Sequence, residues 1–120
     1  MPPEPGAPAD WLRFAESDLA LARAPAAPGV LYEMLCFHAQ QAAEKSLKAV
    51  LLAHKIEFPR THNLRVLRDL LPPRLPVPSE VEQSVELSDY ATMARYPGAY
   101  EPVTEDEYRE AIRLAAAAVG

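Results

Sequence analysis

Apolar residues recur with a helical period along almost the whole chain, in blocks separated by proline. In the first block, "DWLRFAESDLALARA", Trp11, Leu12, Phe14, Ala15, Leu19 and Leu21 make a broad apolar face, and Asp10 is placed to cap its start. The second block runs from about Val30 to Lys55 and is the longest. The third, "THNLRVLRDLLP", carries a short stripe of Leu64, Leu67, Leu70 and Leu71. The fourth opens with Ser79 and Glu82 at capping-box spacing and continues through Val81, Val85 and Leu87 to Met93. The fifth opens with Thr104 and Glu107 at the same spacing, and Tyr108, Ala111, Ile112, Leu114 and Ala115 form its apolar face.

Thirteen prolines set the limits of these blocks, leaving residues 9–24, 29–58, 60–71, 79–96 and 103–120 free of them. Proline removes a backbone donor and clashes with the preceding turn, so it is expelled from helix interiors. The prolines at 72, 73, 76 and 78 predict a stiff extended connection. No strand-type alternation bounded by hairpin turns appears, and no internal repeat. The pattern predicts an all-α, up-and-down helical bundle of about five helices, four long and one short, with the third packed across the others. Residues 1–9 are expected to be a disordered tail and residues 10–120 a single domain.

Within the second helix, small residues at Ala39, Ala42, Ala43, Ser46, Ala49 and Ala53 predict a close-packed face at the bundle centre, flanked by Leu31, Leu35, Leu47, Val50 and Leu51. A different line of the same helix carries His38, Gln41, Lys45 and Lys48, in steps of three, four and three. Met34 and Leu52 extend that line, and Glu44 is placed to pair with Lys48 four residues on. Spacing alone leaves two readings. The line is a solvated stripe with snorkelling lysines, or it is a set of donors suited to phosphate oxygens.

Charge sharpens the question. The chain has a net charge of −5, which argues against a surface that coats nucleic acid. The distribution is uneven. Residues 29–74 hold seven Lys/Arg against four Asp/Glu, whereas residues 79–120 hold three against nine. This asymmetry fits ordinary solvated faces, a local basic site in an acidic protein, or a charge-complementary contact. No apolar run approaches the roughly 20 residues of a membrane span, and the N-terminus lacks the pattern of a secretory signal. A single cysteine, Cys36, allows no internal disulfide; together these features point to the cytoplasm and away from membranes.

Other chemistry is sparse. His38, His54, His62 and Cys36 match no compact zinc spacing, so neither metal nor cofactor is expected. His62, in "RTHNL", is placed to cap or bond locally at a helix start. Glycine-rich phosphate loops and serine-nucleophile motifs are absent. At the end of the fourth block, "MARYPGAYEP" carries Arg95, Tyr96 and Tyr100. Arg95 is either a helix C-terminal cation or a phosphate ligand, with a tyrosine stacking on a base.

Four segments together resemble the HEPN family (higher eukaryotes and prokaryotes nucleotide-binding): "AESDLALA", "CFHAQQAAEKSLKAVLLAHK", "FPRTHNLRVL" and "ARYPG". The family's His-Ala-x-Gln-Ala-x-Glu-Lys-x-x-Lys core is matched by His38, Ala39, Gln41, Ala42, Glu44, Lys45 and Lys48. The resemblance extends from about residue 10 to residue 118. It implies an all-α bundle that is usually a homodimer, often encoded beside a minimal nucleotidyltransferase as a toxin–antitoxin pair. It also implies, for many members, metal-independent ribonuclease activity from an Arg followed four to six residues later by a His. Here the chain departs from the family, because Arg60 and His62 are too close and Arg95 has no His after it.

Three functions therefore stand as expectations. The first is a dimeric module that binds a nucleotide or a nucleotidyltransferase partner through His38, Gln41, Lys45, Lys48, Arg95, Tyr96 and Tyr100, without chemistry of its own. The second is a ribonuclease toxin with a rearranged site, in which His38 or His62 supplies the base. The third is a structural dimerisation protein in which Glu44 and Lys48 pair inside the core.

Overall fold

The structure is a computed structural model and describes residues 7–23, 30–73, 75, 77, 79–88, 90 and 103–119. Every regular element among them is helical. Helix α1 spans Pro8–Arg23 and starts before the expected cap at Asp10. Proline suits this first turn, where an N–H has no intrahelical partner anyway. Asp10 lies within that turn instead, and its Oδ2 accepts from the Ala7 N–H at 3.4 Å.

Helix α2 spans Tyr32–Ala53. Its end is closed by two reversed hydrogen bonds, Lys55 N–H to Leu52 O at 3.0 Å and Ile56 N–H to Leu51 O at 2.8 Å. This is the Schellman pattern, and it needs a left-handed residue between cap and exit. Lys55 takes that position at φ 58°, where glycine is usual.

Helix α3 is the short Leu64–Asp69. Its cap is Asn63, whose Oδ1 accepts from the Arg65 N–H at 2.9 Å; His62 turns elsewhere. Helix α4, Ser79–Gln83, continues as a 3-10 turn over Ser84–Leu87, so the long fourth helix expected is divided at that point. Ser79 is already helical, and Glu82 turns to Arg68 of α3 rather than closing a capping box. The expected continuation to Met93 lies outside the described residues beyond Tyr90. Helix α5, Glu105–Val119, starts with the expected box: Thr104 N–H donates to Glu107 Oε1 at 3.0 Å, and Glu107 N–H to Thr104 Oγ1 at 3.1 Å.

Among the described residues, three long helices make the frame. The early part of α1 meets the late part of α2, with Trp11 against Lys48, so these two run antiparallel. The start of α5 meets the start of α2: Val103 N–H donates to Glu33 Oε1 at 3.3 Å, and the Tyr108 and Tyr32 rings stack with centroids 5.1 Å apart. Tyr108 also donates its hydroxyl to Ala22 O at the end of α1. Helix α5 therefore runs parallel to α2 and antiparallel to α1.

The core is built from the small face of α2, as its pattern predicts. Ala39, Ala42, Ala43, Leu47 and Leu51 pack with Leu19 and Ala22 of α1 and with Ala111, Leu114 and Ala115 of α5. Alanines here let the backbones approach, at little cost in side-chain entropy. Phe58, Leu64, Leu67, Leu87 and Val103 join the cluster from the connecting segments. Two expectations shift. Ala53, Leu31 and Val50 of α2 are exposed, and the α1 face is rotated so that Ala15, Asp18, Leu19 and Ala22 point inward while Leu12, Phe14 and Leu21 face solvent. Cys36 is fully buried, and that burial pushes its thiol up to about 12, which leaves it inert as a nucleophile.

Candidate functional site

The polar line of α2 is not a solvated stripe. It splits into two clusters, each built on a buried carboxylate. In the first, Asp18 of α1 receives both His38 and Lys45 of that line. Lys45 Nζ donates to its Oδ2 at 2.6 Å, and His38 Nδ1 lies 3.1 Å from its Oδ1. Asp18 is 10% exposed by side chain, Lys45 21% and His38 32%, so the cluster opens to solvent on its α2 side. The Phe14 ring covers Lys45, with Nζ 5.8 Å from its centroid.

The second cluster surrounds Glu44. Lys48 Nζ donates to Glu44 Oε2 at 3.1 Å, as the i, i+4 spacing predicts. What spacing does not predict is the burial: the two side chains are 2% and 3% exposed. Two aromatic rings enclose the ammonium, Trp11 at 5.3 Å and Phe58 at 5.7 Å from Nζ to centroid. Lys48 is thus a core cation rather than a snorkelling one, held by an anion and two π faces. The other oxygen, Oε1, accepts from Gln40 Nε2 at 3.0 Å and lies 2.9 Å from His62 Nδ1. Gln40 Nε2 also donates to His62 O at 3.0 Å, tying the approach to α3 onto α2. Gln41 links the clusters along the line, donating to Gln40 Oε1 at 2.7 Å and reaching Glu44 Oε1 at 3.5 Å.

The two clusters repeat one arrangement: a carboxylate, a lysine and a histidine. A carboxylate can only accept, so Nδ1 of each histidine is the donor. That fixes the ring orientation and turns Nε2 of each away from its carboxylate. His62 is the more open of the two, its side chain 51% exposed.

Of the predicted site residues, the structure brings His38, Gln41, Lys45 and Lys48 onto one side of α2, with Lys48 beneath the surface. Arg95, Tyr96 and Tyr100 lie outside the described residues. Sequence reasoning missed Asp18 and Gln40. Asp18 sits on the inner line with Ala15, Leu19 and Ala22, and a carboxylate on such a line demands a buried partner. Among the described residues, no group of three or more His, Cys, Asp or Glu is arranged to hold a metal, and no helix is long and apolar enough to cross a membrane.

The charge asymmetry of the sequence is partly consumed inside the chain. Lys45 meets Asp18, and Arg68 meets Glu82 of the acidic half; Lys48–Glu44 and Arg68–Asp69, the latter at 2.9 Å, pair charges within residues 29–74. A cleft of about 580 Å³ between the 3-10 turn and α5 is rimmed by Glu86, Asp106 and Glu110, with Leu87 and Leu114 below. A hydrogen bond from Arg113 holds the Glu110 carboxyl below its ordinary value.

A family model for the HEPN domain matches residues 8–119. Two solved structures are similar over nearly the full length. ST0689, described as an archaeal HEPN homologue, is 35% identical with a TM-score of 0.70, over 93% of this chain and 91% of its own. TT1696 from Thermus thermophilus is 35% identical with a TM-score of 0.75, over 93% of this chain and 92% of its own. No curated protein matches the chain. The helical frame, the buried polar core of α2 and these full-length likenesses agree: the chain belongs to the HEPN domain family.

Proposed function

We propose that the chain is a dimeric HEPN binding module that takes a nucleotide, or a minimal nucleotidyltransferase partner in a toxin–antitoxin-type pair, without ribonuclease chemistry of the usual Arg–His form. The observation that carries this reading is the half-open Asp18–Lys45–His38 cluster. A cation and a histidine converge there at a surface, whereas the Glu44–Lys48 pair is closed. Lys45, His38 and Gln41 contact the ligand; Lys48 is sealed from solvent and acts by holding Glu44. Arg95 grips phosphate and Tyr96 or Tyr100 stacks on the base, roles drawn from the sequence alone.

Calorimetric titration with ATP tests it. Wild-type protein is expected to bind, and Lys45→Ala to weaken binding on the order of ten- to a hundredfold, the loss of one charge-assisted hydrogen bond. No heat from the wild type, or binding indifferent to Lys45→Ala, removes the nucleotide part. Light scattering on the same sample reads the dimer, and a monomer at micromolar concentration counts against it.

The Glu44–His62 pair favours a second reading, a ribonuclease with a rearranged site. Metal-free RNA cleavage needs a base near the ribose 2′-hydroxyl. His62 presents a carboxylate-oriented ring to solvent, as such a base requires. RNA incubated with protein and EDTA is then expected to be cut, with loss of cutting in His62→Ala. RNA left intact between about pH 5 and pH 8 sinks this reading.

A further inference from the structure

The surface where Lys45 and His38 converge already contains an anion, Asp18. His38 and Lys45 are seven residues apart on α2, about 10 Å along the axis. Two donors so placed have no mutual attraction; they converge because one acceptor is shared. That acceptor is Asp18, brought in from α1, and it uses its two oxygens separately: Oδ2 for Lys45 Nζ at 2.6 Å and Oδ1 for His38 Nδ1 at 3.1 Å. Two donors on two oxygens of one group is also how a phosphate is held.

We propose that Asp18 is a built-in competitor for phosphate at this site, a role that rests on the nucleotide-binding reading of Lys45 and His38. A phosphate drawn from solvent meets the open sides of His38 and Lys45 first, since Asp18 is the least exposed of the three. It cannot settle between them while the carboxylate stays, because two anions on one lysine in a partly buried site repel each other. Binding is an exchange: the phosphate takes the two donors and Asp18 gives them up. The apparent affinity is then the intrinsic affinity reduced by the fraction of molecules in which Asp18 has let go. Asp18 sets how strong an anion the site accepts, favouring a multiply charged phosphate over a weak monoanion.

The opposite role is a positioning carboxylate that holds Lys45 and His38 ready for the ligand, and the two roles predict changes of opposite sign. The probe is inorganic phosphate, titrated into wild type, Asp18→Asn, Asp18→Ser and Asp18→Glu, with helical content checked by circular dichroism. Asp18→Asn and Asp18→Ser are expected to bind phosphate roughly tenfold tighter, and Asp18→Glu, which keeps the charge, to stay weak. Affinity unchanged or reduced in Asp18→Asn and Asp18→Ser overturns the proposal. In the wild type, which needs no variant to fold, the Asp18 carboxyl carbon resonance is expected to move in step with that of His38 as phosphate saturates. An Asp18 signal that stays still at saturation overturns it as well.

The outcomes separate this role from the reading it rests on. If the wild type ignores ATP while Asp18→Asn binds phosphate, and Lys45→Ala in that background abolishes it, the nucleotide reading falls and the competitor stands. If ATP binds through Lys45 and the Asp18 variants gain nothing, the competitor falls and the nucleotide reading stands.

Discussion

Replacing Glu44 with alanine is expected to destabilise the fold by about 3–5 kcal/mol, the largest loss from any single polar residue. The reason is what the change leaves behind. Lys48 remains 2% exposed with its counter-ion gone, and the Trp11 and Phe58 rings alone cannot replace a carboxylate. Gln40 and His62 lose their shared acceptor at the same time. In a domain of this size the melting point falls by roughly 10–20 °C. Lys48→Met placed on the Glu44→Ala background should recover most of the loss, since an apolar chain of similar length suits the aromatic enclosure. Urea unfolding of both variants checks the argument. A cost below about 1 kcal/mol for Glu44→Ala means that the pair is not buried as described.

The second large effect is apolar. Leu51→Ala is expected to cost about 2–5 kcal/mol, whereas Val50→Ala, one residue away, stays within about 1 kcal/mol. Leu51 is 0% exposed and Val50 is 38% exposed. Leu51 also supplies the carbonyl that closes the Schellman turn through the Ile56 N–H, so its side chain packs where the helix exits. The contrast between neighbours separates a packing loss from a change in helix propensity, because alanine favours the helix at both positions. Equal costs at the two sites, measured by urea unfolding, contradict the burial assigned to Leu51.

Local chemistry was legible in the sequence where it depends on nearby residues. Prolines bounded the helices, Thr104 and Glu107 marked the start of α5, and the alanine spacing of α2 identified the core face. Glu44 and Lys48 were readable as a pair for the same reason. Their burial was not, since it comes from Trp11 and Phe58 on other segments. The site failed to appear in full on the same ground: Asp18 is 27 positions from Lys45, and no periodicity within α2 can point to it. The rotation of α1 was ambiguous because Trp11, Leu12, Phe14, Leu19 and Leu21 cover more than one side of the helix. The structure resolves it by turning Asp18 inward to meet Lys45 and His38, which leaves Phe14 and Leu21 outside. A charge-satisfying contact outweighed apolar area at that choice.

The parallel course of α2 and α5 has a consequence for what the chain can tolerate in length. Contacts at the shared end join partners 70 and 86 positions apart, Glu33 with Val103 and Ala22 with Tyr108. The entropy of closing such a loop grows only with the logarithm of its length, so doubling it costs about 0.6 kcal/mol. The frame of α1, α2 and α5 is thus nearly indifferent to how much chain passes between Ala53 and Glu105. Among the described residues, it requires that Phe58, Leu64, Leu67, Leu87 and Val103 still reach the core. Insertions in that span, away from these five plugs, are the changes this architecture absorbs most cheaply, and they leave the Asp18–Lys45–His38 cluster untouched between α1 and α2.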